Sequence, residues 1–237
     1  MSTYVYAITS ARHPLRLDDV KGVGEPPERV RTVQTKALAA VVSDAPEGLR
    51  AKRRDVAAHQ AVLERLMADG SVLPMRFGLL GPDDDQVVQA LEDNRDAYTD
   101  RLDQLADCLE FNLKVQRDED DLLHEALRES ARIRELNEFT RANPEAHDEK
   151  MRLGELISQE VSARQARDAR ETVDRLAPAA LNTVVGEPLK DCFLNVSFLV
   201  KRDKAAAFSQ AVDEEAARRS EAFTFRLHGP LPPYSFV

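Results

Sequence analysis

The chain has 237 residues, 42 acidic and 33 basic, with a formal net charge of −9. With 43% apolar and 32% charged residues it is long enough for one or two domains with proper cores, and its negative charge makes nucleic acid and anionic membrane poor partners. No apolar run approaches the about 18 residues of a membrane span, and the opening M-S-T-Y-V-Y-A-I has neither the basic region nor the long apolar region of a secretory signal, so a cytoplasmic chain is expected.

Residues 3–9, T-Y-V-Y-A-I-T, read as a strand, followed by a loop over 10–27 rich in Pro, Gly and charge. Gly22-Val23-Gly24 has no third glycine and no apolar strand before it, so it is not a dinucleotide fingerprint. Short strands are expected at 30–33 and 38–43, with 44–48 as punctuation. Residues 52–69 form an amphipathic helix with Val56, His59, Leu63 and Leu66 on one stripe, Val62 and Met67 beside it, and Gly70 as its stop. Residues 71–78, S-V-L-P-M-R-F-G, are an apolar strand whose Pro74 cannot donate to a ladder, which puts it at an edge or a bulge. The acids 83–85 start a helix over 84–105, where negative charge complements the helix dipole; Val87, Val88, Leu91, Leu102 and Leu105 face inward.

Two segments then echo each other. Residues 107–118, D-C-L-E-F-N-L-K-V-Q-R-D, and 191–203, D-C-F-L-N-V-S-F-L-V-K-R-D, both begin Asp-Cys, hold a mid-segment Asn, end Arg-Asp and lead into a helical pattern. They read as buried strands, each opening a strand-helix unit around one sheet. Between them lie helices over 119–139, with Leu122, Leu123, Leu127 and Leu136 as a stripe, and 145–176, with Leu153, Leu156, Ile157, Val161, Ala166, Ala169, Val173 and Leu176 inward. Asn143-Pro144 separates the two. Residues 118–176 hold 16 acids and 10 Lys or Arg, the pattern of a solvated, salt-bridge-laced helical pair, either a layer over the sheet or a projecting hairpin. A short strand at 182–185, a helix at 204–220 with Phe208 and Val212 inward, and an alternating strand at 221–228 follow. The close, G-P-L-P-P-Y-S-F-V, is stiffened by three prolines and is apolar, so it either docks on its own domain or grips something else.

Chemistry-bearing groups are sparse. His59 on an apolar stripe reads as a boundary histidine with a satisfied hydrogen bond, since no Ser, Cys or second His lies nearby. Cys108 and Cys192 read as reduced, buried residues, and the five scattered histidines leave them without fellow metal ligands. Arg76 beside Phe77 either presents a cation next to an aromatic surface or pairs with a carboxylate.

The opening T-Y-V-Y-A-I, the helix with His59, S-V-L-P-M-R-F-G and the closing G-P-L-P-P-Y-S-F-V resemble, in order and over essentially the whole chain, the gas vesicle protein F/L family (GvpF/GvpL). P-M-R-F-G and P-P-Y-S-F are the specific pieces. The family tail usually has an aromatic residue between its prolines where this chain has Leu231, which weakens any requirement for an aromatic there. The resemblance implies an accessory protein of gas vesicle formation, vesicle-associated or cytoplasmic, that contacts the hydrophobic shell protein GvpA and other accessory Gvp proteins. It implies no enzymatic activity and no cofactor. It also implies an α+β fold in two domains: an N-terminal α+β domain over 1–106, and a C-terminal ferredoxin-like domain over 107–237 with a long helical insert and the Pro-rich tail.

A helper for an apolar shell subunit needs apolar grip on a charged, soluble body. The candidates for partner binding are Pro74, Arg76 and Phe77 at the edge segment, and Leu231, Pro232, Pro233, Tyr234 and Phe236 in the tail. No catalytic, cofactor or metal residue is expected. The competing reading is a small-molecule-binding or catalytic ferredoxin-like protein, with a cleft where His59 and Arg76 converge with Tyr4 or Tyr6. Against it stand the absence of a Ser/His/Asp grouping, of metal-spaced His or Cys and of a phosphate loop.

Overall fold

The structure, a computed structural model, describes residues 2–237. The chain divides into two compact units. The first is built from the chain up to Phe111 with Leu199–Asp203 and Gly229–Val237, the second from Asn112–Phe198 and Lys204–His228.

The first unit is organised by β1 (Thr3–Ser10), which is buried along nearly its whole length. It pairs antiparallel with β3 (Leu38–Asp44), which pairs in turn with β2 (Arg31–Gln34). The register shifts between Val5 and Ala7, leaving Tyr6 as the extra residue of a bulge. The bulge lets Val5 and Ile8 join one core while Tyr4 and Tyr6 meet the aromatic ring of His59. Helix α1 (Arg53–Asp69) supplies His59, Val62, Leu63, Leu66 and Met67 as buried residues. On the free side of β1 lie two strand fragments, β4 (Leu73–Pro74) and β5 (Leu80–Gly81). The core that contains Val5 and Ile8 also takes Val87 and Leu91 from α2 (Asp84–Asp93), Leu102 from α3 (Arg95–Gln104), and Cys108, Leu199 and Phe236.

The second sheet has the order β7-β8-β6-β9, where β6 is Cys108–Arg117, β7 Asn182–Val185, β8 Leu194–Lys201 and β9 Phe223–Leu231. Helices α4 (Glu119–Glu129), α5 (Ala131–Ala142) and α6 (His147–Leu176) pack on one another, and α6 also meets α7 (Ala205–Arg218). In the second unit Leu113, Val115, Leu122, Ala126, Ile133, Val196, Phe198, Phe208 and Val212 are buried, with the rings of Phe198 and Phe208 5.1 Å apart. The fold is therefore mixed α+β with two antiparallel sheets.

Several sequence expectations are corrected. The helix expected over 84–105 is broken at Asn94, whose side-chain amide donates to the Ala90 carbonyl at 2.9 Å and stops α2. The helix expected over 119–139 is broken at Ser130, an extended residue whose hydroxyl accepts from Ile133 N–H and caps α5. Val56 is 42% exposed, because Asp55 takes the inward place and accepts from Gly24 N–H at 3.0 Å. Ala166 is exposed, and the buried residues of α6 are Arg164, Thr172 and Leu176. The strand after the second Asp-Cys begins at Leu194, after a turn in which Leu189 bridges Cys192. Asp83 caps α2 as expected, accepting from Gln86 N–H at 2.8 Å.

Candidate functional site

On the aromatic face of β1, buried tyrosines and a histidine converge. Nε2 of His59 lies 3.0 Å from the Met75 carbonyl, which only accepts, so Nε2 carries the proton. Nδ1 therefore accepts from the Tyr4 hydroxyl at 2.8 Å, and the Tyr4 oxygen accepts in turn from Gly78 N–H at 3.3 Å. Tyr6 accepts from Val23 N–H at 2.9 Å and meets the Ser43 hydroxyl at 3.0 Å. Burial pushes both tyrosines up and His59 down from their ordinary pKa values. His59 is thus neutral, with both nitrogens engaged, and almost fully buried. The expected convergence of His59 and Tyr4 occurs, but as a closed hydrogen-bond chain. Arg76, by contrast, is exposed.

The edge of the sheet explains why. Ala7 pairs with Pro74, Tyr6 O accepts from Met75 N–H at 2.9 Å, and Val5 N–H then donates to Leu79 O at 3.0 Å. Arg76, Phe77 and Gly78 are extruded between these rungs as a lip. It is closed by Leu79 N–H to Arg76 O at 3.2 Å, and Gly78 turns it at φ +89°. Phe77 packs edge-on to Tyr4 and His59, with ring centroids 6.0 and 5.8 Å away. Pro74 is buried and Phe77 half-buried. Arg76 has no ion pair among the described residues, so it stands as a free cation, and Leu79 and Leu80 after it are 44% and 50% exposed.

Behind this lip lies an apolar groove of about 210 Å³. Its floor is Val5, Ile8 and Ala40, one wall is Met75 and Leu79–Pro82, and the other is Gln86, Val87, Ala90 and Leu91 of α2, with Tyr98 at one end. No sequence signal marked it, because its lining comes from separate elements and periodicity does not say where packing leaves a gap.

The tail docks within its own unit. β9 carries the chain to Leu231; Pro232, Pro233 and Phe236 are buried, and Leu231 and Tyr234 are half-buried. Burial pushes the Tyr234 hydroxyl up to about 12. Glu110, buried on β6, accepts from Ser235 N–H at 2.8 Å and from its hydroxyl at 2.7 Å.

In the second unit charged residues of β6, α4 and α6 form a lattice. Arg117 on β6 bonds Asp121, Glu125 and Asp168 at 2.7, 2.5 and 2.9 Å. Arg164 bonds Glu129 and Glu160 at 2.9 and 2.8 Å. These arginines are paired with carboxylates. No group of three His, Cys, Asp or Glu able to hold a metal occurs among the described residues, and no helix there is long and apolar enough to cross a membrane.

The family described as gas vesicle synthesis protein GvpL/GvpF matches residues 2–237. Gas vesicle protein F of Streptomyces sp. (strain CB03234) is 42% identical over 238 residues, covering 100% of both chains. Gas vesicle protein F2 of Halobacterium salinarum is 30% identical over 244 residues, covering 99% of this chain and 91% of that protein. The crystal structure of the gas vesicle protein GvpF from Anabaena sp. PCC7120 superposes with a TM-score of 0.86 at 23% identity, over 99% of this chain and 97% of that one, and shares the fold.

Proposed function

The chain belongs to the gas vesicle GvpL/GvpF family and is an accessory gas vesicle protein, and from that premise we propose that it binds the shell protein GvpA and other accessory Gvp proteins in the cytoplasm during vesicle assembly. The observation that carries the reading is the lip at Arg76. An uncommitted cation and two exposed leucines sit on an edge whose position is fixed by buried hydrogen bonds to β1. Exposed apolar surface of this kind on a charged chain is what a holder of an apolar subunit needs. Of the proposed contact residues, Arg76 and Phe77 meet the partner directly, with Pro74 setting the edge. In the tail, Leu231 and Tyr234 remain reachable, while Pro232, Pro233 and Phe236 act by fixing the unit that presents them. No catalytic step is assigned, since His59 is consumed by its neighbours.

We also read the second sheet as ferredoxin-like, with the domain division at residues 106 and 107. The support is its strand order, in which the first and third strands in sequence, β6 and β8, are the central pair and are each followed by helix. On that reading α5 and α6 are the insert.

The test is co-purification of the shell protein with the full chain and with Arg76→Ala. Binding by the full chain that drops at least about tenfold in the variant, with an unchanged circular dichroism spectrum, supports the reading. Equal binding by both would remove Arg76 from the contact, and no binding by either would remove the shell protein as partner.

A further inference from the structure

We propose that the groove behind the Arg76 lip receives the apolar stripe of an amphipathic helix whose flank is basic, supplied by a partner protein. The inference rests on the edge of the first unit being a contact face, as proposed above, and adds the chemistry of what lies there.

The size of the groove is the first argument. About 210 Å³ is below the roughly 300–1,000 Å³ of small-molecule sites, yet it is open and apolar, which suits one or two aliphatic side chains rather than a cofactor. Its lining offers little to orient a polar ligand, the polar side chains being those of Gln86 and Tyr98.

The shape of the edge decides between a strand and a helix. A peptide added as a strand needs a continuous row of free N–H and C=O groups. Here Pro74 has no N–H, and the Arg76–Gly78 lip breaks the row. Strand addition is therefore blocked on the stretch that borders the groove. A helix needs only side-chain pockets, anchored at i, i+3 or i+4 and i+7.

Charge chooses the flank. Gln86, Ala90 and Asp93 fall on one stripe of α2, with Asp83 one turn before Gln86. The wall thus carries an acid at each end: Asp83, which caps α2, and Asp93, which accepts from the Gln89 side-chain amide at 2.7 Å. Helix α2, D-D-Q-V-V-Q-A-L-E-D, contains no cation at all. Asp84 is occupied by Arg31 and Thr3, whereas Asp83 and Asp93 are exposed without an ion pair among the described residues. The opposite lip, from Pro74 to Gly81, contains no acid and one free cation, Arg76. A helix lying between these walls is matched when basic residues face α2 and an acid faces Arg76. Such complementarity fixes direction and suppresses wrong partners.

The experiment uses purified full-length chain and overlapping synthetic 20-residue peptides covering the shell protein and the other gas vesicle proteins of the same cell. Binding is read by fluorescence anisotropy at low and high salt. The variants are Ala90→Glu, which places a charged side chain in the groove from an exposed helical position, and Gln86→Lys with Asp93→Lys, which reverses the charge of the wall. The expected result is one or more peptides with an apolar helical stripe and a basic flank. Their affinity falls about tenfold or more in Ala90→Glu and in the reversed wall, and weakens with salt, while both variants keep the wild-type circular dichroism. The inference is overturned if no peptide binds in a groove-dependent way, or if those that do are acidic or bind as strands. If shell-protein binding persists in full in Ala90→Glu, the groove is not where it binds and the proposed function stands alone. If groove-dependent peptides come only from other vesicle proteins, the groove inference stands and the shell-protein reading is decided by the co-purification alone.

Discussion

Asn112 on β6 donates its side-chain amide to the side-chain oxygen of Asn195 on β8 at 3.0 Å. These are the mid-segment asparagines of the two echoing Asp-Cys segments, so the two halves of the echo meet across neighbouring central strands. Asn112 also reaches the Ser197 hydroxyl at 3.2 Å, and Asn195 donates to Glu187 O at 3.2 Å. The repeated asparagine is thereby a cross-strand fastening. A double-mutant cycle with Asn112→Ala and Asn195→Ala should show a coupling of about 0.5–1.5 kcal/mol in urea unfolding, each single change costing about 1 kcal/mol. Strictly additive effects would mean the two side chains are held by their other partners.

That echo was legible because strand, asparagine and exit turn repeat in one dimension. Most strands were legible for the same reason: β1, β3, β6 and β8 are runs of apolar or β-branched residues that periodicity marks directly. The breaks at Asn94 and Ser130 were not, since neither is Gly or Pro and the apolar spacing continues through both. Val56 was misplaced because sequence does not show that Asp55 would be drawn inward by the Gly24 amide. The groove was invisible, because a gap is a property of several elements at once. For the tail, composition allowed docking or gripping, and only the position of Glu110 reveals the anchor.

The anchor has a consequence for any tail experiment. Phe236 is 7% exposed and lies in the core with Leu73, Leu91 and Leu102. Ending the chain at Gly229 removes that ring, a change costing about 3–5 kcal/mol, and it strands the Glu110 carboxylate without its two donors. The truncated chain should melt well below the full chain, so lost partner binding would report a lost fold. Glu110→Gln is the milder probe. It removes the charge from two short bonds and should cost about 1–2 kcal/mol. Scanning calorimetry separates these outcomes, and a truncation that melts like the full chain would show that the tail is not part of the core.

Acid should weaken the first unit through its histidines before its carboxylates are reached. Burial holds His59 below the ordinary imidazole value, and it also holds His13 down, although the Leu66 carbonyl and Asp69 oppose this. Each is neutral in the folded chain at pH values where its unfolded counterpart binds a proton. The unfolded state then carries more protons, so stability is full above about pH 6.5 and falls as pH drops below it. Asp84, held below the usual carboxylate range by Arg31, is lost only in a lower window. Melting temperature should decline between pH 7 and pH 5 (a range of about two units around and below the unfolded imidazole value), and His59→Gln should flatten the decline while lowering the plateau. An equally steep decline in that variant would show that His59 is not held neutral.

The lip at the sheet edge separates folding from binding. Arg76 is exposed and unpaired among the described residues, so Arg76→Ala should leave stability within about 0.5 kcal/mol. Gly78 differs. A Cβ there meets nothing within 4 Å, so sterics with neighbours are absent, but its φ of +89° is strained for any other residue. Gly78→Ala should therefore cost about 1–2 kcal/mol through the backbone alone. Its N–H is the donor to Tyr4, whose hydroxyl holds His59, so the strain should reach the buried chain as well. Hydrogen exchange makes the distinction: faster exchange at Tyr4, Tyr6 and Leu79 in Gly78→Ala and unchanged exchange in Arg76→Ala. If both variants lose partner binding but only Gly78→Ala loosens the edge, Arg76 acts by contact and Gly78 by shaping the lip. If Gly78→Ala keeps wild-type stability and exchange, the extruded lip is too loosely held to orient Arg76, and the contact must lie elsewhere on this unit.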